Sequence, residues 1–318
     1  MIGRVAAALI LVVAAGYLLQ VNDSVLLLPK AAPAPVVIAP PILVAQAEVG
    51  GREWFETKSR IVPLGYKTLS FPILMYHYVR TPPSPRADLV GYNLSVAPKD
   101  FKAQMDWLLY NGYHPVDFND IRAYFAGVRP LPGKPVVITL DDGYTDLYTT
   151  AYPILRAHAF KAVAYIVSGF VDKPRYITSA QLLEMDRNGI EIAGHTVDHA
   201  NLARSSVASI TYEVVQSKRW LEQLIGHPVV DFAYPSGRYD ATVVAVLQRA
   251  GYSTAVTEQW STQHTMDDRY VWARVRVSGG ETLATFVKYL GPTMPTVAVT
   301  TINVPGEILN PDTSRTGY

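Results

Sequence analysis

Along the chain, short apolar runs alternate with stretches whose apolar positions recur every three or four residues. "FPILMYH" reads as a short strand. In "APKDFKAQMDWLLYNGY", Phe101, Met105, Leu108 and Leu109 share one helical face, and Gly112 stands where the helix would stop. "YHPVDF" can extend, "NDIRAYFAG" forms a short helix, and "KPVVITL" is a second strand. A helix from Thr145 to about His158 leads to the strand "KAVAYIV". Next, "TSAQLLEMDRNG" opens with Thr178 and Gln181 at capping-box spacing and leads to the strand "IEIAG". The long helix "VASITYEVVQSKRWLEQLIG" precedes "VVDFAYP", a helix from Asp240 to Gly251 precedes "STAVT", and "YVWARVRV" and "ETLATFVKYLG" close the series. Strands separated by helical patterns predict βαβ units with parallel pairing. About seven such units in one stretch, roughly Ser70 to Gly291, predict one barrel-like α/β domain rather than two domains.

The flanks break this pattern. After Arg4, the uncharged and mainly apolar run Val5 to Leu19 fits a signal-peptide hydrophobic region or a short uncleaved anchor better than a full spanning helix. Ala45 and Ala47 suit cleavage but lie far from that run. "KAAPAPVVIAPPILVAQAE" is an extended linker by composition. The chain is therefore expected to divide into a signal peptide or N-terminal membrane anchor (1–22), a Pro/Ala-rich linker and lead-in (23–69), one folded domain (70–291) and a poorly ordered tail (292–318). That order places the domain outside the cytoplasm: secreted, periplasmic or held at the membrane by the N-terminal segment.

Composition narrows the chemistry. With 28 basic against 27 acidic residues, nothing marks a nucleic-acid partner, and a neutral partner is expected. The absence of cysteine excludes disulfides, thiolate metal sites and a cysteine nucleophile, so any metal must be held by histidine and carboxylate.

Polar residues fall where the predicted strands end. His77 ends "PILMYH", Asp141 and Asp142 end "VVITLDD", His195 ends "IEIAGH", Pro235 ends "VVDFAYP", and Arg274 lies in "YVWARVRV". In parallel α/β barrels the carboxyl ends of all strands share one rim, where active sites sit. A single aspartate before a helix is more often a cap than a catalyst, but two in succession each need a reason. His195 and His199, four apart in "HTVDH", can share a divalent ion with one of the aspartates; the other would then stand near a water on that ion, where a general base belongs. Spacing does not say which aspartate does which. Arg274 is the cation available to keep the base ionised, with a surface arginine at a strand end as the plainer reading. His77 suits a general acid or a hydrogen-bonded core residue equally. Tyr144, Tyr234, Tyr239 and Trp260 are placed to stack on sugar rings, although barrel packing accounts for most such aromatics.

Five stretches taken together resemble the polysaccharide deacetylase family, carbohydrate esterase family 4. "TLDDGYTD" is similar to its first motif, "HTVDHANL" to its His-[Ser/Thr]-x-x-His motif, "FAYPSGRYD" to its third, and "VWARVRV" to a later arginine-bearing segment; "PILMYHYV" is similar to the branch acting on poly-N-acetylglucosamine. The resemblance implies a distorted barrel of seven or eight β/α units, Asp141 as base, and Asp142, His195 and His199 as metal ligands. It implies zinc as the first choice, with iron, cobalt or nickel suiting the same donors. The segment Tyr234, Pro235, Ser236 and Gly237 would line the substrate, and a backbone N–H near Ser236 would stabilise the oxyanion. Two departures stand out: the arginine of the third motif is replaced by Ala233, so that Arg274 would substitute, and the usual C-terminal Leu-x-His is absent, which favours His77 as the acid. The implied reaction removes acetyl groups from an N-acetylated polysaccharide or oligosaccharide and releases acetate.

Overall fold

The computed structural model describes residues 67–290. The expectations for Val5 to Leu19, for the linker and for the C-terminal tail lie outside the described residues. Among the described residues, no helix is long and apolar enough to cross a membrane.

Seven strands form one parallel sheet: β1 (Ile73–Tyr76), β2 (Pro135–Asp142), β3 (Ala162–Ile166), β4 (Ile190–Gly194), β5 (Asp231–Ala233), β6 (Thr254–Val256) and β7 (Val275–Arg276). Their order across the sheet is β7-β1-β2-β3-β4-β5-β6, and the two-residue strand His114–Pro115 pairs with the start of β2. The sheet curls until its edges share one segment. Trp272 bridges Val256 in parallel, with Trp272 N–H donating to Ala255 O at 3.0 Å and Thr257 N–H to Trp272 O at 2.8 Å. Three residues later the same segment becomes β7 and pairs with β1. The predicted late strand "YVWARVRV" is thus split between two neighbours.

Period-2 alternation makes two cores from nearly continuous apolar strands. Val136, Ile138, Leu140, Ala162, Ala164, Ile166, Ile190 and Ile192 face the helical layer. Ile73, Val137, Val163, Tyr165, Ala193, Ala233, Val256 and Trp272 form the second, enclosed core. Helices α1 (Pro98–Tyr110), α2 (Phe118–Phe125), α3 (Tyr152–Ala157), α4 (Ser179–Arg187), α5 (Val207–Ile225), α6 (Ala241–Arg249) and α7 (Leu283–Tyr289) follow the expected order. The predicted capping box is present: Gln181 N–H donates to Thr178 Oγ1, and Thr178 N–H to Gln181 Oε1.

One expectation is corrected. Leu109 is 54% exposed, and the buried stripe of α1 is Phe101, Gln104, Met105 and Leu108. Gln104 is tolerated in the core because its Oε1 accepts from Tyr76 Oη at 2.9 Å, which satisfies a polar atom that apolar surroundings would otherwise penalise. The helix expected from Thr145 does begin there and runs to Ala157, with a π-turn, Leu147–Ala151, inserted within its first half.

Candidate functional site

The alternation of β2 decides where Asp141 goes. Val137, Thr139 and Asp141 share the strand's inner face, so the carboxylate lies over the enclosed core, almost fully buried. Arg274 meets it there. Its Nη1 and Nη2 each donate to one carboxylate oxygen at 2.8 Å, while Nη1 also reaches Thr139 Oγ1 at 3.1 Å and Nε reaches Thr257 O at 2.9 Å. The plainer reading of a surface arginine is therefore overturned: Arg274 is 1% exposed. Burial by itself pushes the Asp141 carboxyl upward, but the charge and two bonds of Arg274 outweigh it and hold the group below the usual carboxylate range.

Asp142 is the next residue, and by alternation it would face the helices. It does not, because its φ of 75° puts it in the left-handed region, followed by Gly143 at 74°. That turn brings Asp142 Oδ1 to 3.4 Å from both His195 Nε2 and His199 Nε2. Left-handed backbone recurs on the opposing loop at Thr196 (67°) and His199 (56°). Strain of this kind, of order 1–3 kcal/mol per residue, persists only where surroundings impose it.

One residue supplying that constraint was not anticipated. Glu213, buried on the core face of α5, accepts from Val197 N–H at 2.9 Å and Asp198 N–H at 3.0 Å through one oxygen. Val197 O accepts from Gly169 N–H at 2.9 Å, an approach that only glycine allows, since a Cβ there would lie 2.5 Å from that carbonyl. A carboxylate within the apolar stripe of Ile210, Val214 and Leu221 was the signal available in the sequence.

His195 Nδ1 donates to Ala233 O at 2.7 Å, which aims Nε2 at Asp142. Burial disfavours the His195 imidazolium, yet the adjacent Asp142 carboxylate and the Asp141 charge raise it above its ordinary value. Burial also works against the Asp142 anion, but His195, His77 and His199 hold it well below the carboxylate range. His199 lies below the usual histidine value, through burial first and the His195 charge second.

Asp142, His195 and His199 each offer one donor, all within 4.8 Å of one another. Two donors about 2.0–2.1 Å from a shared tetrahedral ion stand roughly 3.3 Å apart, close to the separations found. Asp142 Oδ1 is buried without a hydrogen-bond partner, an atom that a cation would satisfy. The donor set fits a divalent ion with further positions open.

His77 is buried beside this cluster, its Nε2 4.0 Å from Asp141 Oδ2. Burial lowers its ordinary value, partly offset by the two aspartates. Beyond Ala233, the turn Pro235–Gly237 carries Ser236 exposed at φ 53°. Tyr234 is corrected as a sugar platform: its ring is fully buried, stacked on Tyr239 at 4.9 Å, and its hydroxyl donates to Tyr270 O. Trp260 is 64% exposed on the loop leaving β6, and Tyr144 is half-buried in a stack with Tyr78.

Known proteins carry similar sequences and folds. A family profile described as polysaccharide deacetylase matches residues 129–255, which include both aspartates and both histidines of the cluster but neither His77 nor Arg274. YxkH of Bacillus subtilis, provisionally named a polysaccharide deacetylase, is 31% identical over 224 residues, spanning 70% of this chain and 77% of that protein. The poly-beta-1,6-N-acetyl-D-glucosamine N-deacetylase of Staphylococcus aureus is 27% identical over 204 residues, spanning 58% of this chain and 69% of its own. Among solved structures, the Streptococcus pyogenes deacetylase PplD in complex with acetate superposes with a TM-score of 0.65 at 27% identity, over 70% of this chain and 99% of that one. With the rim carboxylates, the histidine pair and these likenesses in agreement, the chain belongs to the polysaccharide deacetylase family.

Proposed function

We propose that this protein hydrolyses N-acetyl groups from an N-acetylglucosamine-containing polysaccharide, releasing acetate, and does so outside the cytoplasm. The observation that carries the reading is the divided environment of two adjacent carboxylates: Asp141 is clamped by Arg274, while Asp142 is shared by His195 and His199. Binding alone would need no such spare ionised group.

Asp142, His195 and His199 would hold a divalent ion, zinc in the first instance. When bound, it supplies Lewis-acid polarisation and a water of lowered pKa. Asp141, kept ionised by Arg274, accepts a proton from the attacking water. His77, 4.0 Å from Asp141 Oδ2, donates a proton to the departing amine, and the Pro235–Gly237 turn borders the space for the acetamide. Extracytoplasmic placement is supported by the apolar run Val5 to Leu19.

The test is acetate release across β-1,4- and β-1,6-linked N-acetylglucosamine oligomers, peptidoglycan and O-acetylated xylan, with a chelator and metal add-back. Activity on an N-acetylated glycan, abolished by chelator and by Asp141→Asn with metal retained, is expected. Full activity of Asp141→Asn would overturn the assignment of the base, and release only from xylan would overturn the substrate class.

A further inference from the structure

Beside the cluster lies a cavity of about 420 Å³ lined by Tyr78, Arg80, Tyr144, Asp146, Arg175 and Tyr176 among others. Its walls are the segments that carry the site: Tyr78 directly follows His77, and Tyr144 stands two residues after Asp142. Tyr78 and Tyr144 stack with ring centroids 3.7 Å apart, and Tyr176 stacks on Tyr144 at 5.2 Å. The Arg80 guanidinium lies 3.4 Å from the Tyr78 ring centroid, and its Nε donates to Ser95 Oγ.

The charges in this cavity are unbalanced. Neither Arg80 nor Arg175 forms an ion pair among the described residues; the one lining carboxylate, Asp146, accepts from Val79 N–H. Arg175 is exposed, yet its backbone is tied to the segment that carries the ligands. Thr145 N–H donates to Arg175 O at 2.9 Å, Ile177 N–H donates to Gly143 O at 2.9 Å, and Tyr144 and Tyr176 form an antiparallel bridge. Two guanidinium groups from separate segments thus border one stacked aromatic wall. A neutral sugar needs only hydroxyl partners, which any polar side chain serves; two guanidinium groups lining one cavity with a single carboxylate are suited to an anion.

We propose that this cavity is a subsite for an anionic substituent, a carboxylate or a phosphate ester, on a sugar neighbouring the one whose acetamide reaches the cluster. The stacked tyrosines form one wall of the subsite, and Arg80 and Arg175 read the charge. This rests on the deacetylase reading above and narrows its substrate from neutral to acidic N-acetylated glycans, against the neutral partner that the balanced net charge suggested.

The experiment compares metal-loaded full-length protein on three N-acetylglucosamine oligomers of one length: neutral, carrying a lactyl ether carboxylate, and carrying a phosphate monoester. A charge-assisted contact in a partly open cavity predicts kcat/KM about tenfold higher on a charged oligomer than on the neutral one. Whichever charged oligomer leads identifies the source of the anion. Arg175→Gln is expected to remove most of the preference and leave the neutral rate unchanged, and Arg175→Lys to restore part of it. Equal rates on neutral and charged oligomers, or an equal loss on all three in Arg175→Gln, would overturn the proposal. Calorimetric binding of the same oligomers without their acetyl groups separates the two readings. Charge-selective binding without acetate release from any oligomer refutes the deacetylase and supports the subsite; acetate release without charge-selective binding does the reverse.

Discussion

Replacing Arg274 with methionine removes one side of a buried pair and keeps a flexible side chain of similar length in the space. Four bonds go with it: two to Asp141, one to Thr139 Oγ1 and one to Thr257 O. Summing them would overstate the loss, because the buried guanidinium also costs desolvation that the variant no longer bears; one-sided breaking of such a pair costs about 3–5 kcal/mol. Against a typical stability of about 5–15 kcal/mol this is a large share. Asp141 can limit the loss only by taking a proton. In the native protein its carboxyl sits below the ordinary range, so its contribution is present above about pH 4, its unfolded value, and is lost as pH falls through the depressed folded value. In the variant, burial is opposed only by the lesser charges of His77 and His195 and pushes it upward, so the penalty grows with pH above that unfolded value. Urea unfolding of both proteins in chelator at pH 4.5 and 7.5 should therefore give a stability gap that widens with pH, and the acidic limb of kcat/KM should move to higher pH. Arg274→Lys, which keeps a charge but no fork, should recover part of both. A gap below about 1 kcal/mol at pH 7.5, or one equal at the two pH values, would refute the reasoning.

Glu213→Ala should release the His195–His199 loop: metal affinity, read by titration of cobalt absorption, should fall about 10–100-fold, as for other groups that orient ligands, while Glu213→Gln, which keeps an acceptor oxygen, retains most of it. Unchanged affinity in Glu213→Ala would mean that the loop holds itself. Tyr234→Phe should cost about 1 kcal/mol in urea unfolding through the lost bond to Tyr270 O and leave KM unchanged; a raised KM would return Tyr234 to the substrate. His264, fully buried between Phe71 and Trp272 with Nε2 bonded to Phe71 O, is pushed down to about 4 by burial. Its folded value lies below the unfolded one of about 6.5, so the unfolded chain binds the extra proton between them and stability should drop by about 3 kcal/mol from pH 6.5 to 4. That slope should be absent from His264→Phe and therefore appear in its difference from the wild type, and a pH-independent difference would disprove it.

The succession of strands and helices along the chain and the grouping of His77, Asp141, Asp142, His195 and Arg274 near strand ends were legible in the sequence because periodicity and capping are local. Thr178 with Gln181, and the apolar run of β2, specify their own geometry without reference to the rest of the chain. Family resemblance added the order of roles that spacing left open. Other features belong to the tertiary structure alone. The left-handed turn at Asp142 is adopted where the opposing histidines meet it, although its side chain gives no local preference strong enough to predict it. Arg274 pairs with Asp141 because the sheet curls until the Trp272 segment joins both edges, bringing together residues 133 positions apart. Leu109 and Tyr234 were misplaced for the same reason, since which face is covered depends on elements far along the chain. Sequence alone determined the inventory of chemistry and the elements that carry it; closure of the barrel decided which polar atoms meet, because only there do distant charges leave water together and have to satisfy one another.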